Sequence, residues 1–259
     1  MELKANKERM QQRIDRIASY TSEPGRITRL TFSDAWVQAV GFVRNEMESM
    51  GMTVRMDTFG NLIGNYNPGN STEKPIGIGS HIDSVVNAGA YDGVAGIVVG
   101  LELISMLHEN HIIPKCPIEV LATADEEGAI CQKGYFGGRF MTGNLSAEEC
   151  KKFRNINGKN IEDLQRECPL FDGVIFGTDD GWAKDYYQRF YEVHVEQGGV
   201  MEAAGKDIGI VKGVVGIGRL FIDFFGESDH AGPTVMSVRK DAMVAASDFI
   251  LKAWEVGQA

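Results

Sequence analysis

The apolar positions of this chain change their period several times along its length. Between Phe32 and Met50 they recur at helical spacing, which predicts an amphipathic helix with Ser33 or Asp34 near its start and Gly51 at its stop. Trp36, Phe42 and Met47 share one face of that helix and are expected in the core, not in a cofactor box. MTVRMD (52–57) and NLIGNYN (61–67) read as strands paired across Thr58-Phe59-Gly60. Pro75 to Ser80 is a short apolar strand, Val94 to His108 a helix starting after Asp92-Gly93, and Pro117 to Ala124 another strand. Residues 145–190 are polar and irregular with helical pieces, Tyr191 to Glu196 alternates like a strand, and a last helix is expected from near Ser237. Strand–helix–strand order implies an α/β protein with a largely parallel sheet and helices on its faces.

Composition narrows the partners. Thirty-six acidic residues against 26 basic give the 259 residues a net charge of -10. That argues against nucleic acid and anionic membrane as partners, because phosphate binding needs basic surface, but it leaves metal ions open. The first twenty residues form a charged amphipathic helix and not a secretory signal, as no apolar stretch follows the basic positions. The most apolar window, Gly93 to Leu107, is interrupted by Glu102 and is too short to span a bilayer. Cys116, Cys131, Cys150 and Cys168 show no CxxC spacing and suit a reducing compartment, so a cytoplasmic protein is expected.

The chemistry lies where strands end. Three expected strands run into residue types that ligate metals: His81, Asp83 and then Asp92; Asp125-Glu126-Glu127-Gly128; and His194 followed by Glu196 and Gln197. Ligand sites of open α/β sheets form beyond the carboxyl ends of the strands. Two residues apart on an extended segment, His81 and Asp83 share a face, so Asp83 can hold the second nitrogen of the His81 ring. Adjacent glutamates on a strand point apart, which lets one bind metal while the other takes a proton from water activated by that metal.

The segments SHIDS, NAGAYDG, TADEEG, HVEQGG and DHAGPT together resemble the hydantoinase/carbamoylase group of binuclear metal amidohydrolases. That group includes N-carbamoyl-L-amino-acid hydrolase, allantoate amidohydrolase and β-ureidopropionase, and the resemblance runs from about Met10 to the last residue. It implies a zinc-peptidase-like α/β catalytic domain over residues 1–212 and the beginning of an α+β lid and dimerisation domain over 213–259. It implies hydrolysis of a linear amide or ureido C–N bond in a small carboxylate-bearing substrate by a homodimer. Asp92 would bridge two metals, His81 and His194 would complete one site, and Glu127 would belong to the other. Glu126 would be the general base, His230 would reach the partner subunit's site to stabilise the oxyanion, and Gln197 would touch substrate. The metals would be zinc, or manganese, cobalt or nickel, since the donor types suit several of these. A dipeptidase or aminopeptidase on the same scaffold is the enzymatic alternative. The eleven-residue step from His81 to Asp92 speaks against it. A catalytically silent metal-binding fragment is the other alternative.

Two departures from the group are visible. Val235 stands where the group commonly has proline. The group's second metal takes a histidine from a late segment, whereas the histidines here are 81, 108, 111, 194 and 230, with His108 and His111 expected at a helix end. The sequence therefore looks like a truncated or fragmentary member, with one tightly held metal expected. Apolar surface is expected at Val214, Val215, Ile217, Leu220, Ile222 and Phe224. The chain alone is expected to self-associate and to lack substantial hydrolase activity until completed by a C-terminal segment of the family.

Overall fold

The structure, a computed structural model, describes residues 3–130, 133–155, 157–174, 176–177, 182, 185–216, 218 and 220–259. Cys131 and Ile217 lie outside the described residues. The chain divides into two compact units, Met1–Gly199 and Val200–Ala259.

The first unit opens with helix α1 (Lys7–Ser19), capped by the Asn6 side chain, and α2 (Asp34–Ser49), capped by Ser33. Strands β1 (Thr53–Met56) and β2 (Leu62–Tyr66) form the expected antiparallel hairpin. Strand β3 (Ile76–His81), helix α3 (Val94–Glu109) and strand β4 (Ile118–Thr123) make a parallel crossover unit. Short helices α4 (Phe136–Met141), α5 (Ala147–Cys150) and α6 (Ile161–Glu167) occupy the irregular polar stretch before strand β5 (Arg189–Tyr191). The sheet order is β1-β2-β4-β3-β5. It is mixed: β3 lies parallel to both β4 and β5, whereas the hairpin joins antiparallel through β2.

Strand β5 is shorter and earlier than the alternation over 191–196 suggests. Its ladder with β3 ends at Tyr191 opposite Ile78. Trp36 and Met47 are fully buried, with Phe42 packed against the same core. Cys116, Cys150 and Cys168 are free thiols. Among the described residues no helix is long and apolar enough to cross a membrane.

The second unit contains α7 (Val200–Ala203) and α8 (Ala242–Gln258), which starts later than Ser237 because Asp241 caps it through the Met243 N–H. Val214, Val215, Leu220 and Ile222 are exposed, whereas Phe224 packs against Phe249 at a ring-centroid distance of 6.0 Å.

Candidate metal centre

Parallel pairing sets the position of the centre. His81 ends β3 opposite Thr123 at the end of β4, so the chains that leave these strands emerge at one edge of the sheet. Beyond β5, which runs parallel to β3, the chain brings His194 to the same place. Asp92 arrives from the turn that starts α3. Gly93 sits there at a φ of +65°, and a Cβ on it would fall 2.5 Å from His81 Nδ1, so only glycine lets the turn close onto the ring.

The ring nitrogens have assigned partners. His81 Nδ1 lies 3.0 Å from the Asp83 carbonyl oxygen and His194 Nδ1 lies 2.9 Å from that of Val195. A carbonyl only accepts, so both Nδ1 atoms carry a hydrogen, which leaves Nε2 as the nitrogen that a neutral ring offers to a metal. Those two Nε2 atoms are 3.5 Å apart. Asp92 Oδ1 lies 3.2 Å from His194 Nε2 and 3.8 Å from His81 Nε2. That oxygen is buried and, among the described residues, accepts no hydrogen bond. The donor atoms of His81, Asp92 and His194 fall within 4.8 Å of one another, as do those of His81, Glu126 and Glu127.

The two glutamates face one cluster because they do not lie on a strand. Strand β4 stops at Thr123, and Asp125 turns the backbone at a φ of +52°. Asp83 fixes that turn: its Oδ1 accepts the Glu126 N–H (3.2 Å) and its Oδ2 the Glu127 N–H (3.1 Å). The Asp83 carboxylate therefore orders the glutamate turn, while its main-chain carbonyl orients the His81 ring; Oδ1 is 3.8 Å from Nδ1. Burial, then the charges of Asp83, Glu127 and Glu192, raises the Glu126 pKa against the opposing influence of His81. Burial likewise raises Glu127, with Asp92 and Asp83 adding to it and His81 and His194 opposing.

Gln197 donates from Nε2 to Asp92 Oδ2 (2.8 Å), so its amide is engaged with a carboxylate of the cluster. Glu192, which sequence reasoning passed over, accepts from Ser80 Oγ (2.6 Å). Its place two residues before His194 is the signal that identifies it as a neighbour of the cluster. His230 belongs to the second unit, where it is exposed and its Nδ1 accepts the Gly232 N–H (3.0 Å).

Two imidazole Nε2 atoms and a carboxylate oxygen that accepts no hydrogen bond from the described residues converge. With neutral rings such a set favours a cation among it, and imidazole with carboxylate suits zinc, manganese, cobalt or nickel. The residues fit a divalent metal.

Residues 77–257 match the model of peptidase family M20/M25/M40. The chain is 36% identical over 248 residues to an N-carbamoyl-L-amino acid amidohydrolase of Geobacillus stearothermophilus, covering 94% of this chain and 59% of that one. It is 34% identical over 241 residues to an allantoate amidohydrolase of Bacillus subtilis, covering 92% of this chain and 57% of that one. A crystal structure of a hydantoinase/carbamoylase family amidase from Burkholderia ambifaria superposes with a TM-score of 0.79 at 27% identity, covering 99% of this chain and 62% of that one. The chain thus spans less than three fifths of the length of these two sequence relatives.

Proposed function

The chain belongs to peptidase family M20/M25/M40, and on that premise we propose that it serves a metal-dependent hydrolase of linear amide or ureido C–N bonds. The substrate class is a small ureido acid such as an N-carbamoyl amino acid or allantoate, in keeping with the relatives' activities. One observation carries the proposal: the convergence of His81 Nε2, His194 Nε2 and Asp92 Oδ1 beside two glutamates.

A divalent ion held there by His81, Asp92 and His194, with Glu127 alongside, would acidify water and polarise the substrate carbonyl. Glu126 takes the proton of the attacking water. It then hands that proton to the departing nitrogen. Water oxygen joins the carbonyl carbon, the C–N bond breaks, and the nitrogen leaves protonated. Gln197 holds Asp92 in register and shields it from competing donors. His230, in a lid domain spanning 213–259, is the oxyanion donor to a second subunit of a homodimer.

Paired substitutions test the assignment. Glu126→Gln is expected to lower turnover about 100-fold or more while metal content stays at the wild-type level. Glu127→Gln is expected to lower metal content as well. Turnover is measured on N-carbamoyl-L-amino acids and allantoate, with the chain alone and with it extended by the C-terminal segment of the Geobacillus relative. Hydrolysis in neither form, or the reverse behaviour of the two glutamates, contradicts the proposal.

A further inference from the structure

The segment before α2 lies outside residues 77–257, the stretch matched by the family model, yet it supplies buried polar side chains against both turns of the metal centre. Arg29 is 1% exposed and Thr31 is 2% exposed. A fully buried arginine needs a structural reason, because removing its charge from water is expensive unless it is paired and hydrogen-bonded.

Its bonds supply that reason. Arg29 Nε donates to the Ile82 carbonyl (2.6 Å), the peptide that joins His81 to Asp83. Its Nη1 donates to the Ile17 carbonyl (3.2 Å) in the last turn of α1, which also accepts the Tyr20 N–H (3.2 Å) and where the helix favours positive charge. The Arg29 main chain pairs reciprocally with Ser84: its N–H donates to Ser84 Oγ (2.9 Å), and its carbonyl accepts the Ser84 N–H (3.1 Å). Two residues on, Thr31 Oγ1 accepts the Asp125 N–H (2.9 Å), the residue at which the glutamate turn bends.

We propose that Arg29 and Thr31 form a clip that sets the metal centre: Arg29 is a positioning residue for the His81–Asp83 segment, and Thr31 is one for the Glu126–Glu127 turn. The proposal rests on the metal-centre reading above. His81 is still paired with Thr123 and the Ile82 N–H still donates to the Thr123 carbonyl (3.2 Å), but Asp83 and the Glu126–Glu127 turn lie past the ends of their strands. The clip and the Asp83 carboxylate bond them from opposite sides, so His81 and the glutamates hold one spacing before a metal arrives. Burial lowers the Arg29 pKa to about 10, with the Asp83 charge opposing the fall, so the guanidinium remains a cation at neutral pH. Lysine keeps the charge but not the planar fork that reaches Ile82 and Ile17 together.

The test uses Co²⁺ as the probe on the full chain, with affinity measured by calorimetry and melting temperature recorded with and without the ion. Arg29→Met is expected to bind Co²⁺ at least about tenfold more weakly than wild type, the scale seen when a group supporting a metal ligand is removed. Arg29→Lys is expected to recover part of that loss. Thr31→Val, which keeps the volume, is expected to weaken Co²⁺ binding in a protein of native far-ultraviolet spectrum. It and Arg29→Lys decide the matter where Arg29→Met fails to fold. A merely structural role lowers both melting temperatures equally and leaves affinity unchanged, and that result in Thr31→Val and Arg29→Lys overturns the proposal. Failure of the wild type to bind Co²⁺ overturns instead the metal-centre reading beneath it.

Discussion

Gly93 shows how closely residue identity is tied to the geometry of the centre. An α3 start at a φ of +65° disfavours any side chain, and a Cβ there also meets the His81 carbonyl oxygen at 2.4 Å. Gly93→Ala is therefore expected to destabilise the metal-free protein by about 2 kcal/mol or more and to displace the His81 ring. Urea unfolding reads the first effect and Co²⁺ titration the second; unchanged stability in the metal-free protein contradicts the account. The residue types of the site are legible in the sequence because each follows an apolar run and precedes a glycine. Their detailed bonding is not. The spacing of His81 and Asp83 fits a ring–carboxylate pair, but the carboxylate goes to the Glu126 and Glu127 N–H groups, donors created by a turn at Asp125. Gln197 donates to Asp92 Oδ2, a contact spanning two loops that no local pattern encodes.

Elements were legible wherever their pattern is local. Helices α2 and α3 and strands β1 to β4 follow their periodicity and caps closely, whereas the β5 ladder depends on where β3 offers a partner. Glu102 illustrates the limit. In the sequence it interrupts an apolar window; in the structure it is 1% exposed and docks α1 onto α3. It accepts from Arg9 Nε (2.8 Å) and from the Asn6 N–H (2.7 Å), with Arg13 Nη1 at 3.2 Å. Burial alone would raise its carboxyl, but the Arg9 and Asn6 hydrogen bonds and the two arginine charges outweigh burial and hold it below the ordinary 4.5. The folded-state pKa thus lies below the unfolded one. The stabilisation is fully present above about 4.5 and is lost as pH falls through the lower folded value. Glu102→Gln is expected to destabilise the protein by about 3 kcal/mol at pH 7, a cost of breaking a buried ionic group. The difference from wild type should shrink as the pH is taken down below the folded value. Urea unfolding across that range checks this, and a difference constant with pH contradicts it.

At the scale of the whole molecule, three strand ends and one helix start put five potential donors at a single sheet edge. The α/β class and the strand–helix–strand order were legible, because they follow from the sequence of local elements. That β2 joins β4 antiparallel is a long-range choice that periodicity does not express. The two donor groups share His81, and its Nδ1 is committed to the Asp83 carbonyl, so on the proposed reading its one remaining nitrogen would serve one ion. Three ligands, His81, Asp92 and His194, would make that ion the tightly held one. The most direct measurement is elemental metal analysis of the 259-residue chain after exhaustive dialysis, beside its His81→Ala and His194→Ala variants. The account predicts about one divalent metal per chain in the wild type and a marked loss in each variant. No retained metal, two tightly held ions, or full retention in both histidine variants would contradict it.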